Sequence, residues 1–87
     1  MAEAATQVYS SDFDDAFFNF PPDIQARIQR KLDDVGRRLE SYPHYQMTGL
    51  TAFRLRVGDY RVIYRFDLRK NEIYVAAVGH RREVYRA

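Results

Sequence analysis

Residues 53–66, FRLRVGDYRVIYRF, decide the fold. Read at the two-residue period of a strand, Phe53, Leu55 and Val57 point one way and Arg54 and Arg56 the other. Past Gly58-Asp59 the alternation resumes, with Tyr60, Val62, Tyr64 and Phe66 set against Arg61 and Arg65. The stretch predicts an antiparallel hairpin. Glycine at the first of two loop positions suits a type II′ turn, which places Val57 opposite Tyr60, Arg56 opposite Arg61 and Leu55 opposite Val62. One face is apolar and the other carries arginine. Like charges paired across strands destabilise a sheet by an amount on the order of 0.2–1 kcal/mol, and an anion would relieve them. Equally, polar side chains solvate the outer face of many sheets whose inner face packs on helices. The hairpin alone leaves both readings open.

Downstream, residues 68–71 turn the chain and residues 72–78, EIYVAAV, form a final strand rich in β-branched and aromatic side chains, ending at Gly79. His80, Arg81, Arg82, Glu83, Val84, Tyr85 and Arg86 follow. An imidazole, two guanidinium groups and a phenol thus leave the last strand of the sheet that carries Arg54, Arg56 and Arg61.

Upstream, residues 43–51, PHYQMTGLT, read as a loop leading into the sheet. His44 has no second histidine or carboxylate at ligand spacing, so no metal site is expected. Pro22 and Asp23 open the longest helix, with Ile24, Ile28, Leu32, Val35 and Leu39 on one stripe, and Asp33/Arg37 and Asp34/Arg38 as i,i+4 pairs on the wet side. Gly36 inside it costs about 0.8–1 kcal/mol relative to alanine, which points to close packing against the first helix or the sheet. Pro43 marks the end. A shorter helix over about residues 12–19 is expected to start at Ser11, with Asp14 completing an acidic capping box, and to stop at Pro21-Pro22. Its aromatic stripe, Phe13, Phe17, Phe18 and Phe20, reads as core. Residues 7–10 suit a short strand, and residues 1–6 a frayed leader.

A chain of 87 residues predicts one domain, 1–87, with a single modest core. The absence of cysteine excludes disulfides, a thiolate nucleophile and zinc–cysteine sites. No basic segment leads into an apolar run, and no stretch approaches the roughly 20 apolar residues that span a bilayer, so a cytoplasmic, soluble protein without a membrane partner is expected. The net charge of +2 is unevenly spread: residues 1–20 carry −4, residues 21–50 carry +1 and residues 51–87 carry +5. A basic sheet half suits a polyanion such as nucleic acid, though small basic domains also bind acidic proteins.

In this order of elements, with GDYRVIYR closing the hairpin and VGHRREVYR closing the chain, the sequence resembles the RelE/ParE superfamily of type II toxins, most nearly the RelE type, from about Val8 to Arg86. The resemblance implies an α+β fold: a small twisted, mainly antiparallel sheet of about four strands, two N-terminal helices packed on one face and a basic active site on the other. It implies ribosome-dependent mRNA cleavage in the A site, in which a ribose 2′-hydroxyl attacks the adjacent phosphate without metal or other cofactor. Arg54, Arg56, Arg61, Arg81 and Tyr85 match the family's basic and tyrosine positions. In that reading Arg61 and Arg56 stabilise the developing phosphorane charge and Arg54, with Arg65 and Arg82, holds flanking RNA. Tyr85 takes the 2′-proton if neighbouring cations lower its pKa, and His80 or Arg81 serves the leaving group. The implied partners are a cognate antitoxin, the ribosome and mRNA, with operator DNA reached only in complex with antitoxin.

Three departures are visible. Arginine stands where the type member commonly has lysine, the hairpin loop is short, and the sequence ends two residues after Tyr85. The last suggests an antitoxin that covers the basic face with an acidic helix or extended segment. A ParE-type toxin that binds DNA gyrase is the alternative, and an inactive homologue acting as a binding module is a third. The His80, Arg81 and Tyr85 cluster separates the first from the second, since a gyrase binder has no catalytic need of it.

Overall fold

The alternation across residues 53–66 folds as the sequence predicts. In the computed structural model, which describes residues 3–47 and 51–80, β3 (Phe53–Val57) and β4 (Tyr60–Asp67) pair antiparallel, with Val57 opposite Tyr60, Arg56 opposite Arg61 and Leu55 opposite Val62. Gly58 takes a φ of 58° while Asp59 keeps a negative one, the pattern of a type II′ turn. The Arg27 guanidinium also lies where a side chain at residue 58 would begin. The positive φ is what asks for glycine there, since the Arg27 Nη2, 3.0 Å from where a Cβ would stand, is the end of a flexible side chain.

β5 (Glu72–His80) lies antiparallel to β4, β1 (Thr6–Tyr9) lies parallel to β5, and β2 (Tyr45–Gln46) lies antiparallel to β3, giving the order β1-β5-β4-β3-β2. The sheet thus has five strands where about four were expected. The extra one, β2, falls in the stretch read as a loop. Its two residues become a strand only by pairing with β3, a tertiary event with no local periodicity to announce it.

β5 carries the feature that fixes which residues face which way. Val62 pairs with Val78 and Ile63 with Ala77, but Tyr64 pairs with Val75, leaving Ala76 as a bulge. A single extra residue reverses every later side chain. Ile73 and Val75 before the bulge, and Val78 and His80 after it, therefore share the helix side, while Tyr74, Ala77 and Gly79 share the other.

The helix α1 (Ser11–Phe17) is capped by Ser10, one residue earlier than expected: Ser10 Oγ accepts from Phe13 N at 3.0 Å and also donates to the bulge carbonyl of Ala76. Ser10 N donates to Val75 O, so the ladder of β1 delivers this serine to the cap position. Of the aromatic stripe, Phe13 and Phe17 are buried and Phe20 packs against the core, while Phe18 is 69% exposed at the helix end. That corrects its reading as core.

The helix α2 (Pro22–Arg37) buries Ile28, Leu32, Val35 and Gly36. These meet Leu55, Val57, Val62, Tyr64, Ile73, Val75 and Val78 from the sheet in one core. Gly36 packs against Ala5 at the entry to β1 and against Ile73, and its carbonyl accepts from Ala5 N at 3.0 Å. Residues 3–6 are accordingly tied down, with Ala5 buried. Asp34 pairs with Arg38 at 2.7 Å and with Arg37 at 3.8 Å. Its hydrogen bond from Arg38 holds the carboxyl below its ordinary pKa. The expected Asp33–Arg37 pair is replaced: Asp33 accepts from Gln7 and Gln29, joining α2 to β1. Among the described residues no helix is long and apolar enough to cross a membrane.

Candidate functional site

The face of the sheet turned away from the helices gathers Arg54 and Arg56 from β3 and Arg61 and Arg65 from β4. Arg54, Arg56 and Arg65 are exposed, whereas Arg61 is only 9% exposed. Its Nη1 donates to the carbonyls of Gly58 at 2.8 Å and Tyr60 at 2.9 Å, so the side chain folds back over the turn. A guanidinium offers five N–H donors, and two here hold the hairpin loop. The cross-strand partner of Arg61 on β5 is Gly79, so no side chain from β5 stands opposite the guanidinium.

Among the described residues, ion pairs join Asp34 to Arg37 and Arg38, and none reaches Arg56, Arg61 or Arg65. Arg56, Arg61 and Arg65 thus gather positive charge with no carboxylate of the described residues paired to them, and guanidinium groups so grouped are able to hold a phosphate. Carboxylates sit at its far end, where Asp67 pairs with Glu72 across β4 and β5. Tyr74 donates to Glu72 at 3.1 Å, and that bond raises its pKa above the ordinary phenol value.

His80 is not part of this group. It pairs with Tyr60 on the helix side, its ring edge-on to the Tyr60 ring at 6.0 Å, and Tyr60 in turn packs on Phe20 at 4.9 Å. Strict alternation from Tyr74 would have placed His80 beside the arginines, and the bulge at Ala76 reverses it. Arg81, Arg82 and Tyr85 lie outside the described residues. The structure therefore brings together Arg54, Arg56, Arg61 and Arg65 of the expected site and separates His80 from them.

Three features escaped the sequence. Tyr45 on β2 is directly opposite Arg54, whose Cζ lies 5.7 Å from the tyrosine ring centroid. His44 is a clamp: its Nε2 lies 2.8 Å from the Leu39 carbonyl, its Nδ1 lies 2.6 Å from the Tyr64 hydroxyl, and its ring stacks on Phe66 at 4.1 Å. A carbonyl only accepts, so Nε2 carries the proton and Tyr64 donates to Nδ1. Burial raises the pKa of Tyr64 well above the ordinary phenol value. Third, Arg27, Arg30, Lys31 and Arg37 line a cleft between α2 and the hairpin, with Asp34 the one carboxylate there. Its residues come from two segments, so no single stretch announces it. Among the described residues no group of three or more His, Cys, Asp or Glu side chains is arranged to hold a metal ion.

A small mixed sheet with two helices on one side and a basic surface on the other is the fold of this chain. Residues 7–85 match the family described as the ParE toxin of the type II toxin-antitoxin system parDE, and the chain belongs to it, within the RelE/ParE superfamily. The isolated RelE toxin of Escherichia coli superposes with a TM-score of 0.76 at 17% identity, over 94% of this chain and 92% of that one. A chain of the RelBE2 toxin-antitoxin complex from Mycobacterium tuberculosis gives 0.75 at 21% identity, over 90% and 99%. A chain of the RelE–RelB complex from Pyrococcus horikoshii gives 0.75 at 21% identity, over 98% and 100%. At these identities the likeness is one of fold, and it is the α+β RelE-like fold expected from the sequence. No curated protein sequence matches the chain.

Proposed function

We propose that this type II toxin is a ribosome-dependent mRNA endoribonuclease of the RelE type, held inactive by a cognate antitoxin. The observation that carries the reading is the arginine face: three exposed guanidinium groups and one anchored one, none of Arg56, Arg61 and Arg65 ion-paired to a carboxylate among the described residues.

The reaction asks for charge at the phosphate and for proton transfer at two oxygens. The 2′-oxygen attacks the neighbouring phosphorus, the bond to the 5′-oxygen of the next nucleotide breaks, and a cyclic phosphate and a 5′-hydroxyl result. Arg56 and Arg61 stabilise the charge that builds on the non-bridging oxygens, Arg61 with little reorganisation because the turn already fixes it. Arg54 and Arg65 hold the flanking backbone, joined by Arg82. Tyr85 takes the 2′-proton, Arg81 neutralises the charge on the departing 5′-oxygen, and that oxygen takes its proton from a water molecule to become the hydroxyl. His80 drops out of this scheme because it faces the helices. Complexes with antitoxin among the similar structures support a cognate antitoxin as partner; its place over the basic surface is part of the proposal, as is any operator contact, which is assigned to the toxin–antitoxin complex.

The family match itself favours a second reading, in which the same surface binds DNA gyrase without cutting RNA. One pair of assays separates them: primer extension on a defined mRNA with and without programmed ribosomes, and DNA supercoiling by purified gyrase. Cuts in the A-site codon that need ribosomes, with supercoiling unaffected, are expected. Supercoiling inhibition without cuts would replace the nuclease reading by the gyrase one, and neither effect would leave an inactive binding module.

A further inference from the structure

We infer that Tyr45, backed by Arg54, is the platform on which an unpaired base of the RNA stacks; the inference rests on the RNA-directed reading of the arginine face and adds to it the residue that reads a base. Five large apolar or aromatic side chains are exposed among the described residues: Val8, Tyr9, Phe18, Tyr45 and Leu68. Tyr9 lies on the helix side, Phe18 closes α1 and Leu68 sits in the turn before β5. Val8 is on the arginine side of the sheet but on β1, three strands from β3. Tyr45 alone adjoins the arginines, at 67% exposure, one strand from Arg54 and on the same face.

An aromatic ring left in water on an edge strand contributes nothing to the core, and this one is already oriented by a guanidinium at 5.7 Å from its centroid. That contact limits the rotamers the tyrosine must give up on binding. Base–aromatic stacking is the main way that single-stranded nucleic acid is held beside a phosphate-binding groove, and it tolerates any base because each has a π face. Arg54 and Arg56 follow along β3 about 7 Å apart, so a strand whose base rests on Tyr45 runs its phosphates over them. The charge complementarity of these two arginines favours RNA over an apolar protein segment as the occupant.

The test is fluorescence anisotropy with a short labelled single-stranded RNA and with a ribose-phosphate oligomer of the same length lacking bases. Tyr45→Ala is expected to weaken RNA binding by roughly 5- to 100-fold, Tyr45→Phe to stay within about twofold because a phenyl ring still stacks, and neither to change binding of the base-free oligomer. The inference is overturned if Tyr45→Ala binds RNA as the wild type does, if Tyr45→Phe is as weak as Tyr45→Ala, if the base-free oligomer loses equally, or if the wild type binds no RNA. Loss of antitoxin binding with RNA binding intact would assign the ring to a protein partner instead. Wild-type cleavage on ribosomes is scored apart. Tyr45-dependent RNA binding without cleavage keeps the platform and rejects the nuclease, whereas cleavage by a protein whose RNA binding ignores Tyr45 does the reverse.

Discussion

Arg56 and Arg61 form one cross-strand pair, yet Arg56 is exposed while Arg61 is buried with its Nη1 on the carbonyls of Gly58 and Tyr60. One guanidinium of the pair braces the turn and the other is turned to solvent. Arg56→Ala should leave stability unchanged or raise it by up to about 1 kcal/mol, since it removes a like-charge pair, while ribosomal cleavage falls by about 10²–10³. Arg61→Ala should lower both, with about 1–2 kcal/mol lost from the turn. Urea midpoints set beside primer extension check this; an Arg61→Ala chain as stable as the wild type would remove the bracing role.

His44 and Tyr64 make the second prediction. Removing the imidazole strands a buried hydroxyl and unstacks Phe66, so His44→Ala should cost about 2–4 kcal/mol, a large share of the stability of a small domain. Tyr64→Phe removes the hydroxyl with its need for a partner and should cost about 1 kcal/mol. Because burial raises the Tyr64 pKa, the folded chain keeps a proton that the unfolded chain releases once the pH passes the ordinary phenol value near ~10. Stability is then full below that pH and falls above it, by up to about 1.4 kcal/mol per pH unit for the one proton. Urea unfolding from pH 8 to 11 should show the decline in the wild type and a shallower one in Tyr64→Phe; equal slopes would reject the assignment.

Gly36 should be improvable. A Cβ there would meet its nearest neighbours, Ala5 O and Ile73 Cδ1, at 3.6 and 3.7 Å, which is ordinary contact, and the backbone is helical. Gly36→Ala should therefore stabilise by about 0.5–1 kcal/mol. A loss in thermal midpoint would mean that α2 must approach β1 more closely than this.

The parts of this fold that could be read from the sequence are those where local pattern and tertiary demand agree. The GD turn between alternating strands specified its own type and register, and the stripe from Ile24 to Val35 specified the buried face of α2, which stops at Arg37, short of the Pro43 expected to end it, while Leu39 is buried beyond the helix. What escaped reading depended on a partner distant in sequence. Tyr45 is a strand residue only because β3 lies beside it, and Asp33 faces Gln7 and Gln29 instead of Arg37 because β1 crosses there. His44 looked idle because its partners, Leu39 and Tyr64, meet only in the folded chain. The four hairpin arginines of the candidate site were legible for the same reason as the hairpin, and the orientation of His80 was not, because strict alternation has no sign of a bulge at Ala76.

That bulge supports the last prediction. Ser10 Oγ both caps α1 and donates to the Ala76 carbonyl, so Ser10→Ala should cost about 1–2 kcal/mol while leaving the faces of β5 as they are. Deleting Ala76 is a different perturbation. Without that residue Val75 and Ala77 become neighbours that already face opposite ways, so Val78 and His80 keep the helix side and Ala77 and Gly79 the arginine side, with Tyr64 still opposite Val75 and Ile63 opposite Ala77. No core side chain is turned out, and only the carbonyl that accepts from Ser10 is lost with the residue, so the deletion should cost on the order of 1 kcal/mol, no more than Ser10→Ala. Unfolding curves for both variants decide the matter. A deletion variant several kcal/mol less stable than Ser10→Ala would mean that β5 does not keep this register without Ala76 and that Val78 has left the core.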